Sequence, residues 1–491
     1  MQNTDVREHK GWLIPALLGV AIVTLWRIGM LAVDQTDLFV DEAQYWLWGQ
    51  EMAFGYYSKP PMIGWVIRAF TELGGSDAPF WVRLPGSLFH GATALLLGAI
   101  AARLSGLTAG MFVAWAYVSL PVVTVGSYLI STDTVMFPFL ALALLCWLRL
   151  LEDRGDARAR TWAIAAGAAV GLAFLSKYAA IYFVLGAGLS ALFLRATRPG
   201  WAHAGLALVA FALVISPNVA WNLLNGLSTI EHTLDNADWV RDPGTKAQLN
   251  VTGLVEFFGA QFIVFGPMFF ASLLWICARG GAGVRRGGLF LIIAMPIIVL
   301  VCAQALLSRA YANWAAAAYL PALLVVVPWL LKHSKIWIWL SLAVHGAFAL
   351  FLPLAAANPT ALRAGPHNDF LLARYIGRTQ MSEQIFALAK QEATVAIVAD
   401  NRDILADLFY LGRDRPMPVF AKPQPGRAPN HYVLKYAFKG QAVGQVLFVT
   451  GAAAPPAGCQ ASKITRLAPE SGAYRRGPQN IFVVDADCWG G

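Results

Sequence analysis

Between residues 12 and 354 the chain alternates long apolar runs with short polar loops. The stretches 12–32, 86–102, 108–130, 134–150, 162–176, 178–194, 201–220, 257–277, 288–307, 313–331 and 335–354 carry very few charges. A helix needs about 20 mostly apolar residues to cross a bilayer. The pattern therefore predicts an α-helical polytopic membrane protein with about 11 transmembrane helices, and at most about 13. Residues 162–194 form one apolar block. As a single helix its 33 residues would run about 50 Å, too long for one crossing, so the polar Ser176-Lys177 is read as a turn between two spans.

The pattern changes near Pro353. Short apolar runs at 395–399, 443–449 and 481–484 alternate with helix-like stretches, which predicts a small α/β domain. The expected organisation is a membrane domain over 1–354, with a first external loop at 33–85, followed by a soluble domain over 355–491. The Pro/Gly-rich stretch 422–429 reads as a loop.

Composition fits this class: 58% of residues are hydrophobic and 13% charged, well away from a soluble domain of ordinary composition. The net charge of +9 does not point to nucleic acid, because the basic residues are scattered over short loops without a basic stripe or an aromatic RNA-binding motif. Their distribution sets orientation instead. With Arg7 and Lys10 cytoplasmic, the loops on that side carry Arg103; Arg149, Arg154, Arg158 and Arg160; Arg195 and Arg198; Arg279, Arg285 and Arg286; and Lys332 and Lys335. The opposite loops hold Asp41-Glu42, Ser131-Thr132-Asp133 and the segment 221–250. The positive-inside rule then places the N-terminus in the cytoplasm and the C-terminal domain outside. The first apolar run contains Arg27 and lacks a clear cleavage site, so it reads as a retained anchor. Cys146, Cys277 and Cys302 lie in or beside apolar runs and read as structural. Cys459 and Cys488 can pair if their region lies outside the cytoplasm. No CxxC or His/Cys cluster suggests a zinc site.

Ionisable residues within or beside apolar segments are functional candidates by default. In DEAQYWLWGQ, Asp41, Tyr45 and Trp48 would share one face of a short helix. Asp41 either acts chemically there or opens the helix, where acids are favoured. Lys59, before two prolines, is a well-placed loop cation that can meet a lipid phosphate or simply snorkel. Asp133 lies in Ser-Thr-Asp-Thr, also a good helix start. Lys177 can neutralise a phosphate or pair with Asp133. Glu231 and His232 form an acid–imidazole pair in a polar loop, where a lone histidine is more often a surface residue. Arg309, Tyr311, Asn313 and Trp314 complete the set, all expected on one membrane face.

The order DEAQYW, YYSKPPMIGW, GSYLISTDTVMFPFLALAL, GLAFLSKYAAIYF, IEHTL and SRAYANWAAAAYLP resembles the bacterial branch of the protein-mannosyltransferase-like GT-C glycosyltransferases. That branch includes the aminoarabinose transferase of lipid A and the galacturonosyltransferases of lipopolysaccharide. The resemblance covers roughly residues 12–354. It implies an inverting enzyme of the bacterial inner membrane. Such an enzyme takes a sugar from a polyprenyl-phosphate donor and passes it to a lipid, glycan or protein acceptor at the periplasmic face, with membrane lipids around it. It also implies site residues: Asp41 as the essential first-loop aspartate, Asp133 as the acid before the fourth span, Lys59 at the lipid phosphate, and Lys177 with the Glu231-His232 pair near the donor phosphate and the cavity wall. Beside these, the residues themselves offer Glu42 as a further catalytic acid, Arg309 as a further cation for the donor phosphate, and Tyr45, Tyr57, Asn313 and Trp314 as cavity candidates. This chain has Ser58 where the aminoarabinose transferase has an acid implicated in metal contact, and Gln44 where it has arginine. A bound divalent metal ion is thereby left open.

The chemistry suits these residue types. An attacking hydroxyl must lose its proton, which a carboxylate can accept; if the acceptor is a phosphate, Asp41 would instead stabilise the cationic sugar-like transition state. The departing phosphate gains charge that Lys59, Lys177 or Arg309 can meet. The alternative is a transporter or flippase of lipid-linked sugars, which commonly shows internal repeats and broken helices. The sequence displays neither.

Overall fold

The computed structural model describes residues 11–489 apart from 228, 230, 231, 233–248, 281–287, 366, 367, 456 and 457. The chain divides into two compact units: Met1–Ala32, Ser58–Val66 and Arg83–Pro353 form the first, and Val33–Tyr57, Ile67–Val82 and Leu354–Gly491 the second.

The first unit is helical. Among the described residues, 8 helices are long and apolar enough to cross a membrane, or up to 10 if each of two bent pairs is one span. Each of the eleven apolar runs falls on helix, but three do not behave as single straight spans. The helix Ile181–Phe193 has 13 residues, about 20 Å of rise, short of a bilayer core of about 30 Å. The run 257–277 folds as Val251–Val264 and Pro267–Ala278 with a bend of 114° and is therefore not one straight span. The bend follows from Gly266 at φ +91°, beside Pro267 at the first helical position. A Cβ at Gly266 would also fall 1.9 Å from Nε2 of His345, so both backbone angle and packing require glycine.

A second break, of 54°, separates Leu107–Ser119 from Pro121–Tyr128. Pro121 cannot donate a backbone hydrogen bond and disfavours helix at Leu120, which is extended. Arg27, the charge within the first apolar run, is fully buried and serves this break: its Nη2 donates to the Val118 carbonyl at 2.8 Å and to Thr124 Oγ1 at 2.9 Å. The structure thus contains broken helices that hydropathy did not reveal. Small residues allow close helix packing elsewhere. A Cβ at Gly167 would meet the Ala207 carbonyl oxygen at 2.0 Å, which brings Arg158–Ser176 backbone to backbone against Trp201–Leu224. The expected turn at Ser176-Lys177 is present: Arg158–Ser176 ends there, Lys177 is extended, and a short 3₁₀ turn leads into Ile181–Phe193.

In the second unit a two-residue ladder, β1 (Arg363–Ala364) with β2 (Asp369–Phe370), precedes a five-stranded mixed sheet. Its strands are β3 (Ile397–Ala399), β4 (Val419–Ala421), β5 (Gln445–Thr450), β6 (Ala461–Leu467) and β7 (Gln479–Asp485), in the spatial order β4-β3-β5-β7-β6. β3 runs parallel to β4 and β5, while β7 is antiparallel to β5 and β6. Val398, Val446, Phe448, Phe482 and Val484 fill its core with Phe438. Cys459 and Cys488 are disulfide-bonded. The first loop was expected to go with the membrane domain. Most of it instead packs into this unit, because its polar side chains bond there: Asp37 accepts the Arg378 backbone N–H at 2.8 Å and the Thr379 hydroxyl at 2.5 Å, so a first-loop carboxylate caps the helix Arg378–Gln391.

Candidate active site

In the second unit, the helix Val40–Gln50 begins after Phe39, whose backbone N–H donates to Glu42 Oε2 at 2.9 Å. Glu42 is completely buried. Its carboxylate caps the helix. Asp41, in the first turn, is half exposed, and its Oδ1 accepts from Arg402 Nη2 at 2.5 Å. One turn on, Gln44 Oε1 accepts from Arg402 Nε at 3.0 Å. Asp41 therefore both opens its helix and presents a carboxylate.

Arg402 follows β3 and is the first residue of the helix Arg402–Leu411, which Asn401 caps by accepting from the Asp403 and Ile404 backbones at 2.8 and 3.2 Å. Burial works against the guanidinium's charge, but the Asp41 carboxylate outweighs it, and the pKa lies above its ordinary value. The neighbouring His431 imidazole is held neutral, down to about 4, by burial and then by the positive charge of Arg402.

Aromatic and polar contacts fix the Asp41 helix. Trp46 Nε1 donates to Asp77 Oδ1 at 2.7 Å, and Tyr410 donates to the Asp77 carbonyl at 2.6 Å while packing edge-on to Trp46. Trp48 stacks on Tyr56, and Tyr45 is buried beside Trp48. Tyr57 is buried and donates to the Ala428 carbonyl at 3.0 Å, tying the first loop to the Pro/Gly-rich loop.

In the first unit, Ser131 accepts from the Thr134 backbone at 3.3 Å and so caps the helix Thr132–Glu152, with Asp133 in its first turn. Lys177 Nζ donates to both Asp133 oxygens at 2.8 Å, and Asn313 Nδ2 donates to Oδ2 at 2.9 Å. Of the two contacts open to Lys177, the structure makes the one with Asp133. The break that ends Arg158–Ser176 delivers this lysine. Nearby in sequence, Tyr178 bonds Asn218 and Asn222 at 3.0 and 3.2 Å. Trp314 packs edge-on to Tyr311, and Arg309 is exposed. Lys59 and His232 are each partly buried. Glu231 lies outside the described residues. Among the described residues, no three His, Cys, Asp or Glu side chains gather as a metal set.

Sequence reasoning missed Arg402 as a partner of Asp41. Its only local signal is its position at the carboxyl end of a parallel strand, where α/β sheets place ligand-binding groups.

Residues 58–221 match the family described as dolichyl-phosphate-mannose-protein mannosyltransferase. Over 476 residues the chain is 40% identical to the lipid A galacturonosyltransferase RgtD of Rhizobium johnstonii, a match that takes in 96% of this chain and 98% of that protein. Among solved structures it is similar to ArnT from Cupriavidus metallidurans, in the apo state and bound to undecaprenyl phosphate. Both matches have 16% identity and a TM-score of 0.60 and cover 98% of this chain and 99% of that one. At that identity the likeness is one of fold.

Proposed function

Since this chain belongs to the family of GT-C integral-membrane glycosyltransferases that includes the lipid A galacturonosyltransferase, we propose that it moves a uronic acid from a polyprenyl-phosphate carrier to lipid A. In this reading an acceptor oxygen attacks the anomeric carbon from the face opposite the phosphate. The new C–O bond forms as the bond to the phosphate oxygen breaks, and the electron pair leaves with the polyprenyl phosphate. Asp41 takes the acceptor's proton when the acceptor is a hydroxyl, and steadies the oxocarbenium-like sugar when it is a phosphate. Lys59, Lys177 and Arg309 supply positive charge for the leaving phosphate, with Asp133 and Asn313 setting the position of the Lys177 ammonium.

The observation that carries this reading is Asp41 itself: a half-exposed carboxylate fixed in the first turn of a helix by Arg402, with Glu42 committed to the cap. Substrate-contacting roles are proposed for Tyr45, Tyr57, Glu231, His232, Asn313 and Trp314, as the family resemblance and the residue types suggest. The reaction is assigned to the periplasmic face of the inner membrane, with the N-terminus cytoplasmic. The Cys459–Cys488 disulfide supports that orientation, since such bonds persist in oxidising compartments, and so does the arginine distribution. Family membership favours transfer over a flippase, although broken helices occur in both.

The test is mass spectrometry of lipid A from cells with and without the protein. A uronic-acid increment present only with the protein is the expected result. A lipid A spectrum that is identical in the two strains, with vesicle assays showing movement of the lipid-linked sugar in the absence of acceptor, would replace the reading with transport.

A further inference from the structure

The Asp41–Arg402 contact poses a question that stability does not answer. Its side chains are 46% and 38% exposed, and a pair so open to solvent adds about 0–1 kcal/mol. Nor is it needed to join the first loop to the α/β domain, since Asp37, Asp77 and Tyr57 already bond across. The guanidinium is nevertheless tightly oriented. Gln44 holds Nε and Asp41 holds Nη2, while Nη1 has no partner among the described residues. Asn401 fixes the backbone from which the side chain springs. The neighbouring His431 is neutral, so it adds no second positive charge beside the guanidinium.

We propose that Arg402 selects the donor: its oriented guanidinium, anchored by Asp41 and Gln44, receives the carboxylate of the sugar being transferred. This rests on the reading above that the sugar is a uronic acid. Such a sugar brings its own negative charge toward Asp41, and two carboxylates at one site repel unless a cation lies between them. A planar guanidinium can serve one carboxylate with one edge and a second with its remaining N–H groups, which a point-charge ammonium does less well. Arg402 accordingly discriminates against the neutral counterpart, in which a hydroxymethyl group replaces the carboxylate. A neutral sugar leaves the free N–H groups unpaired, and sites built around a polar partner reject analogues that lack it.

The experiment uses the full-length protein in lipid nanodiscs, with lipid A as acceptor and two donors on the same polyprenyl phosphate, galacturonate and galactose. The readout is the ratio of kcat/KM between donors, so a general loss of activity cancels. Wild-type protein is expected to favour the uronate by about 100-fold or more. Arg402→Gln should reduce that preference about 100-fold, and Arg402→Lys should fall between the two. An unchanged preference in Arg402→Gln, with both donors slowed equally, would overturn the proposal. It would mean that Arg402 only positions Asp41 or meets the phosphate common to both donors. If wild-type protein uses galactose as well as galacturonate, the selection proposal fails while the transferase reading stands. If it transfers neither sugar to lipid A, the substrate reading itself fails.

Discussion

Two carboxylates, Asp133 and Asp41, each begin a helix and each meet a cation, yet their surroundings differ. The Asp133 and Lys177 side chains are 10% and 19% exposed, and the ammonium reaches both oxygens while Asn313 adds a third donor. Asp41 and Arg402 are 46% and 38% exposed and share one short contact. Removing one partner of a buried pair strands a charge, whereas an exposed survivor is simply hydrated. The first pair therefore belongs to the architecture of its unit as much as to any chemistry. The second is close to dispensable for folding, and the fixed orientation of its guanidinium on Asp41 and Gln44 is better explained by function. Loss of activity after changing Asp133 or Lys177 mixes misfolding with catalysis; at Asp41 and Arg402 the two separate.

The largest stability effects should break the buried pair. Asp133→Ala or Lys177→Ala alone is expected to cost about 3–5 kcal/mol, read as a fall in Tm of the detergent-purified protein. The double change to Asp133→Leu with Lys177→Met should cost clearly less than the two single losses combined. A strictly additive cycle would place Asp133 among exposed pairs and remove the contrast. Next in size is a pH effect confined to the second unit. His431 has a folded pKa of about 4, below its ordinary value. Unfolding therefore takes up a proton between about pH 6.5 and 4. The stabilising contribution is complete above about 6.5 and is lost as pH falls through that window, by about 3 kcal/mol in all. His431→Gln should flatten this slope in a pH-dependent melting series. Smaller still, Tyr57→Phe removes the bond to the Ala428 carbonyl and should cost about 1 kcal/mol, sharpening the point that the first loop is held by several modest contacts.

Much of this was legible in the chain. Apolar runs marked the helices because hydropathy reports directly on burial in lipid or protein, and the polar Ser176-Lys177 marked a true break. The spacing of Asp41, Tyr45 and Trp48 foretold their helix. The change near Pro353 announced a sheet domain, while the late cysteines left its disulfide conditional on which side of the membrane the domain lies. The bend at Gly266 was not legible, because a glycine and a proline within an apolar run leave the hydropathy of the run unchanged. The capping role of Glu42 was not legible, because its partner is a backbone N–H on Phe39, without the Ser or Thr that normally signals a capping box. The Asp41–Arg402 contact spans 361 positions, and nothing local in ADNRDIL names its partner. The first loop's membership of the second unit was hidden for the same reason.

The smallest stability change should accompany the largest functional one, at Asp41. Turnover of polyprenyl-phosphate galacturonate by the Asp41→Asn protein in nanodiscs, measured beside its Tm, tests this most directly. The account expects turnover reduced by about 10²–10⁴-fold and stability within about 1 kcal/mol of wild type. Near-normal turnover at an unchanged Tm would contradict it and remove Asp41 from the centre of the reaction.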